Sequence, residues 1–238
     1  MLNIVGVNGL VHWTEAEIKA REWLIDAFSI GVRDILLDMN RAWDIRRIEG
    51  PVLVPRDMVS SAYTGDDVYF QDGGDLALRP ETTATTYAWM NELLSTHSGA
   101  RLPLCVWQAG KSFRREQDQP TKFMRLKEFH QLEFQCAYSA DTANDYHANC
   151  LDGMLGLFDR LIPQAVSMAA SDRLPDYAET TMDIEADLAD RRMELCSISR
   201  RKDFPTRWRD RDVLVLEIAI GLDRCVWCME SGVRKVMG

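Results

Sequence analysis

Between residues 107 and 136 the chain alternates apolar and polar side chains twice over. In Trp107–Glu116 the odd positions Trp107, Ala109 and Phe113 are apolar, and the even positions Gln108, Ser112, Arg114 and Glu116 are polar. A period of two is the signature of a half-buried strand. A polar loop, Gln117–Lys122 with Pro120 inside it, follows. Then Arg125–Cys136 alternates again, with Leu126, Leu132, Phe134 and Cys136 on one side and Arg125, Lys127, Phe129, Gln131 and Glu133 on the other. Two such strands joined by a short loop predict an antiparallel hairpin with one face on the core. The opposite face carries Arg114, Glu116, Arg125, Phe129, Gln131 and Glu133. Solvent accounts for the charged residues, but an aromatic ring among them calls for something flat to stack on. Forked arginines beside it match phosphate oxygens in bidentate geometry. A planar base joined to phosphates, a nucleotide, is the ligand this face predicts.

The rest of the chain supplies the elements to pack against that hairpin. Thr14-Glu15-Ala16-Glu17 is a capping box. Behind it Ala20, Leu24, Ala27, Phe28, Ile35 and Met39 recur at helical spacing, so residues 14–40 form one amphipathic helix, or two with a break at Gly31. A β segment is expected over Arg46–Val54, punctuated by Pro51 and Pro55. Short strands at Val68–Phe70 and Leu76–Leu78 flank an Asp72-Gly73-Gly74-Asp75 turn. Helices are expected over Glu81–Leu94, behind Pro80, and over Thr142–Ile162.

The balance of 28 basic against 37 acidic residues gives a net charge of −9, which argues against coating a nucleic acid through a global field. Two islands reverse the sign locally. Residues 107–127 and residues 200–211 each carry six basic side chains, which points to a bound anion of modest size. The six cysteines lie mostly beside apolar residues and read as reduced core thiols. Cys225 and Cys228 form a lone CxxC without a second pair, so core packing is the expectation there rather than zinc. No apolar run is long enough to cross a bilayer, and Met1–Val5 has no basic leader, so a cytoplasmic protein without a membrane partner is expected. Neither a P-loop nor a GxGxxG turn is present to hold the nucleotide. His130 falls in the core-side register and is expected to be hydrogen-bonded there.

Phe113-Arg114-Arg115-Glu116, a loop, then Arg125-Leu126-Lys127-Glu128-Phe129 resembles motif 2 of the class II aminoacyl-tRNA synthetases. Glu217-Ile218-Ala219-Ile220-Gly221-Leu222-Asp223-Arg224 is similar to their motif 3, and Gly50-Pro51 after the long first helix to motif 1. Leu78-Arg79-Pro80-Glu81-Thr82, Glu128–Glu133, Asp183-Ile184-Glu185, Met193-Glu194-Leu195 and Lys202-Asp203-Phe204 are similar to segments of glycyl-tRNA synthetases. The resemblance implies an α+β fold, a mainly antiparallel sheet flanked by helices. It also implies a single catalytic domain over residues 1–238, with motif 1 at about 14–55, motif 2 at about 104–136 and motif 3 at about 213–230.

Carried over by position, the resemblance implies ATP-dependent activation of a small amino acid, glycine favoured, as an aminoacyl-adenylate. Arg114 would hold the α-phosphate and the charge of the pentacoordinate state, and Arg125 with Arg224 the γ-phosphate. Glu116 would accept from the adenine amino group, and Phe129 would stack on the base. Glu194 and Ser197 match magnesium-binding positions. Glu81, Glu133 and Glu217 would cage the amino acid's ammonium group, with Gln131 and Ala219 beside them. Ala219 departs from the family, which has a serine there. The resemblance also implies a homodimer paired through motif 1. Because the residues end at Gly238, soon after motif 3, no anticodon-binding domain is expected. The acceptor is then a tRNA read at its acceptor end or a non-tRNA group. A non-catalytic paralogue serving as an accessory or regulatory subunit is the alternative.

Overall fold

The computed structural model describes residues 6–7, 10–60, 62–63, 65–96, 99–115, 125–172, 174–189, 191–205 and 207–237. The predicted loop at Gln117–Lys122, and Glu116 with it, lies outside them. A small hairpin of β1 (Gly6–Val7) and β2 (Leu10–Val11) precedes α1 (Glu15–Met39). The capping box forms as its residues require: Thr14 accepts from the Glu17 backbone N–H, and the Glu17 carboxylate accepts from the Thr14 N–H at 2.5 Å. Then come β3 (Asp44–Arg47), β4 (Leu53–Pro55), a turn of 3-10 helix at Arg56–Met58, β5 (Leu76–Leu78) and α2 (Thr83–Thr96). The predicted hairpin is β6 (Leu104–Phe113) and β7 (Glu128–Ser139), paired antiparallel from Leu104 opposite Ala137 to Phe113 opposite Glu128. The chain continues through α3 (Tyr146–Leu161), β8 (Val166–Ala170), β9 (Ala178–Asp187), β10 (Arg192–Arg201), β11 (Val213–Gly221) and α4 (Leu222–Met237).

Seven strands make one sheet in the order β3-β6-β7-β11-β10-β9-β8. Only the edge pair β3–β6 is parallel, so the fold is α+β around a mainly antiparallel sheet. One face carries Cys105, Leu132, Phe134, Ile184, Ile198, Leu216 and Ile218, all buried under α1, α3 and α4. All six cysteines are buried free thiols, as their apolar neighbours require. The opposite face divides in two. Leu104, Val106, Ala137, Val213 and Val215 pack against Tyr87, Met90 and Leu93 of α2. Past the edge of that helix the same face turns polar, and the cleft described below begins there.

Several expectations change in detail. Gly31 does not break α1: a Cβ there would lie 2.5 Å from Leu157 Cδ1, so the glycine is the groove in which α3 seats against α1. The segment expected over Arg46–Val54 splits into β3 and β4, which belong to different sheets. The split falls at Gly50-Pro51, where a Cβ on Gly50 would lie 2.6 Å from Thr85 Oγ1. Of Val68–Phe70 only Phe70 bridges to β5, opposite Ala77. The third long helix starts four residues late, because Asp145 caps it by accepting from Ala148 N at 3.0 Å.

Candidate functional site

The strand registers line up Gln108, Glu133, Ala219, Ser197 and Asp183 in one row across five strands. The next row holds Val106, Gln135, Glu217, Ser199 and Thr181. A cavity of about 620 Å³ opens over these rows. Its lining includes Glu81, Arg114, Arg125, Phe129, Gln131, Glu133, Glu194, Ser197, Glu217, Ala219 and Arg224. These are all of the site residues singled out in the sequence except Glu116, which lies outside the described residues.

The floor is a packed set of acids. Glu133 is 3% exposed, and its Oε2 accepts from the Thr82 backbone N–H at 3.1 Å and from the Thr82 hydroxyl. It therefore sits on the open N-terminus of α2, where backbone donors and the helix dipole favour an anion. Gln131 Nε2 donates to its other oxygen at 2.5 Å. Burial, reinforced by the charges of Glu217 and Glu81, pushes the Glu133 carboxyl up to about 8. Burial raises Glu81 as well, against the pull of Arg201, while Tyr63 donates to it at 2.8 Å. Glu217 accepts from Arg201 Nη1 at 2.6 Å and from Gln135 Nε2 at 2.8 Å. Arg201 is 1% exposed, also binds Asp203 through Nε and Nη2, and has its guanidinium 3.8 Å from the centre of the Tyr177 ring. Three carboxylates thus gather around the buried Arg201 guanidinium, with Arg79 near Glu133 and Arg114 near Glu81, and an ammonium group would complete the floor.

The other end of the cleft is cationic and aromatic. Arg114 is held by Nε donating to Pro80 O at 3.1 Å, and its guanidinium lies over both Phe129 and Tyr63, 5.2 and 5.4 Å from the ring centres. Arg224 donates to Glu194 O at 2.8 Å and stands 3.6 Å from the Glu194 carboxylate. The 107–127 island therefore does supply the cleft, through Arg114, Arg115 and Arg125. The 200–211 island does not face an anion. Arg200 pairs with Asp145, Arg207 with Asp212 and Arg211 with Asp141, and Arg201 is spent on Glu217 and Asp203.

One residue of the hairpin's polar face, Gln108, serves structure rather than ligand. Gln108 is fully buried, takes Gly50 N–H and Arg79 Nη1 on its oxygen, and donates to Thr82 O, Thr85 Oγ1 and Thr86 Oγ1. Arg79 is itself buried and donates to Lys111 O and Gly50 O. This network ties α2 and the Gly50-Pro51 turn to β6, and so sets Glu81 and Thr82 against the floor.

Glu194 and Ser197 are three apart, which on a regular strand would put them on opposite faces. A register shift in β10 between Glu194 and Cys196 turns both toward the cleft and sends Cys196 into the core. Asp183, opposite Ser197, is also in the lining, and its buried Oδ1 has no hydrogen-bond partner among the described residues. Carboxylate and hydroxyl oxygens of this kind suit a hard divalent cation such as magnesium. That ion is commonly held by one or two carboxylates with water and phosphate rather than by a closed cage. Among the described residues no group of three or more His, Cys, Asp or Glu side chains is arranged to hold a metal ion.

Arg201, Tyr63, Tyr177 and Asp183 stand in the site without having been singled out as site residues from sequence. Arg201 was legible only as part of a charge island. Its parity on β10, across from Val215 and next to the Glu217 row, needs the strand register to be known. Tyr63 and Tyr177 come from loops that carry no local signal. The His130 side chain is hydrogen-bonded, through Nδ1 to Arg21 at 3.2 Å, as its register implied.

The model of the tRNA synthetase class II core domain (G, H, P, S and T) matches residues 66–231. The chain belongs to that family. Among curated proteins it is similar to the glycine–tRNA ligase of Mycoplasma capricolum subsp. capricolum, 28% identical over 150 residues, covering 59% of this chain and 32% of the relative. That of Mycolicibacterium paratuberculosis is 30% identical over 112 residues, covering 45% and 24%. The chain thus spans between a quarter and a third of these relatives' length. Among solved structures, prolyl-tRNA synthetase from Cryptosporidium parvum complexed with halofuginone and AMPPNP superposes with a TM-score of 0.73 at 16% identity, over 96% of this chain and 49% of that one. The Giardia lamblia prolyl-tRNA synthetase in complex with prolyl-adenylate gives 0.71 at 17% identity, over 94% and 48%. These two likenesses speak to the fold.

Proposed function

We propose that the chain activates a small amino acid, glycine before others, with ATP to form an aminoacyl-adenylate. The aminoacyl group is then passed to an acceptor, either the acceptor end of a tRNA or a non-tRNA amine, hydroxyl or thiol. The observation that carries this reading is the division of one cleft into an acid floor short of a cation and an arginine-lined end with an aromatic ring. An α-amino acid and a nucleoside triphosphate satisfy both ends at once.

In this reading the ammonium group sits among Glu81, Glu133 and Glu217, and Arg201 holds Glu217 in place through their ion pair at 2.6 Å. The amino acid's carboxylate then points toward Arg114. Its oxygen attacks the α-phosphorus, the bond from that phosphorus to the bridging oxygen of pyrophosphate breaks, and pyrophosphate leaves with the electron pair. No proton is transferred, so the chain's task is alignment and charge stabilisation rather than acid–base catalysis. Arg114 takes the charge that grows on the α-phosphoryl oxygens. Arg125 and Arg224 hold the γ-phosphate, and Phe129 stacks on the adenine, with Glu116 accepting from its amino group. Glu194 and Ser197, with Asp183 behind them, would hold Mg²⁺, which when bound supplies charge neutralisation at the phosphates.

Glycine is favoured by the names of the curated relatives. A homodimer is part of the proposal: Trp23 and Ile30, two turns apart on the outer face of α1, are 49% and 61% exposed. The buried reduced thiols fit a cytoplasmic setting. The reading is tested by calorimetry with a sulfamoyl analogue of glycyl-adenylate. The parent chain is expected to bind it, more tightly than the prolyl analogue, and Arg114→Ala to weaken it roughly 10–100-fold through loss of a charge-assisted contact. A folded parent chain that ignores every such analogue would overturn it.

A further inference from the structure

At the edge of the cleft, where Asp223 itself is part of the lining, one polar cluster joins three elements that the proposed chemistry does not otherwise connect. It consists of Arg21 from α1, His130 from β7 and Asp223 from the first turn of α4. Asp223 is 5% exposed, and its Oδ2 accepts the His130 backbone N–H at 2.8 Å. Its Oδ1 makes no hydrogen bond among the described residues. It stands 3.3 Å from His130 Nδ1 and 3.7 Å from Arg21 Nη1. Arg21 Nη1 lies 3.2 Å from His130 Nδ1, and because a guanidinium only donates, the imidazole supplies the lone pair there. Trp13 closes the cluster, edge-on to His130 and beneath the Arg21 guanidinium, 5.6 Å from its ring centre. Arg21 is thus the cation that compensates a carboxylate otherwise left buried and half-satisfied.

The chain neighbours of these residues give the cluster its meaning. His130 points away from the cleft, while Phe129 and Gln131 on either side of it line the cleft. Asp223 is followed at once by Arg224, which also lines it. The hydrogen bond from the His130 backbone to Asp223 therefore sets the start of β7 against the start of α4. In the reading above, these are the two walls that hold the nucleotide. No residue of α1 lines the cleft among the described residues, yet Arg21 is the charge on which that joint depends.

We propose that Arg21 is a positioning residue for the nucleotide half of the cleft. Through Asp223 and His130 it sets the spacing of Phe129 and Arg224, and so lets α1 govern how tightly the nucleotide is gripped. The inference rests on the reading of Phe129 and Arg224 as nucleotide contacts. It is specific in what it should move: the amino-acid end, built from α2, β7, β11 and β10, has its own network and should be left alone.

The test measures AMPPNP affinity by calorimetry and the KM values for ATP and glycine by pyrophosphate exchange, for the parent, Arg21→Met and Arg21→Lys. Arg21→Met keeps the length and removes the charge. It is expected to weaken AMPPNP and raise the KM for ATP roughly tenfold while the KM for glycine stays within about twofold, and Arg21→Lys is expected to recover most of the loss. Should Arg21→Met not fold, the double variant Arg21→Met/Asp223→Asn removes both charges and is expected to show the same ATP-selective loss. Unchanged AMPPNP affinity in the variants would overturn the proposal. So would an equal loss for ATP and glycine, which is what a purely structural role produces. If the parent itself binds no AMPPNP, the nucleotide reading fails first and this inference falls with it, which separates the two failures.

Discussion

Glu133 does two jobs that conflict when the cleft is empty. Its carboxylate caps α2, which favours the charged form, yet burial among Glu81 and Glu217 lifts it from the ordinary 4.5 to about 8. A carboxyl raised in the folded state adds stability that is complete below about pH 4 and is lost as pH climbs through about 8. An ammonium group entering the floor reverses the preference and drives the proton out. Glycine or adenylate-analogue binding at pH 6.5 is therefore expected to release close to one proton, read from the dependence of calorimetric heat on buffer ionisation enthalpy. The release should fade above about pH 9. Binding with no proton release across that range would mean Glu133 is already ionised in the free cleft. Alternation in the sequence places Phe129, Gln131 and Glu133 on one face, and Glu217 is the one charged residue within the apolar run Val213–Ile220. Nothing local disclosed that Arg201 is its partner, because that contact is made across strands in a register only the folded sheet defines.

At the scale of elements, the β6–β7 hairpin was legible because its period-two pattern persists over both strands. The cap of α1 follows from Thr14, whereas α3 is capped by Asp145 rather than starting at the expected Thr142. What was not legible was cover. Gln108 looks like a ligand-facing residue by parity, but α2 lies across it and its threonines, with Arg79, absorb its hydrogen bonds. Nor could spacing alone bring Glu194 and Ser197 to one face, since that depends on the register shift in β10. Gly31 is a similar case. As a sequence feature it is a weak helical residue, while in the fold it is the contact point of α1 with Leu157 of α3. Gly31→Leu is expected to overpack that junction and cost about 1–3 kcal/mol, measured by urea denaturation. An unchanged midpoint would show that α3 can shift freely against α1.

For the whole molecule, the net charge of −9 and the arginine-lined cleft are compatible because the acids and bases are sorted by place. Several surface arginines outside the cleft, among them Arg41, Arg192, Arg200, Arg207 and Arg211, sit in ion pairs, and such exposed pairs add little stability. The excess acid that matters chemically is gathered on the cleft floor. The family is shown by residues 66–231, while the relatives extend well beyond the span this chain matches, so the acceptor of the activated amino acid belongs to the proposal. The central claim, that this cleft joins an amino acid to the α-phosphate of ATP, is tested most directly by amino-acid-dependent ATP–pyrophosphate exchange. The assay is run with Mg²⁺ across the twenty standard amino acids, beside Arg114→Ala. Exchange that requires a small amino acid, glycine first, and falls by about 100-fold or more in the variant is the predicted result. A folded parent chain that exchanges with none of them would contradict the account and leave the cleft as a binding site of a non-catalytic paralogue.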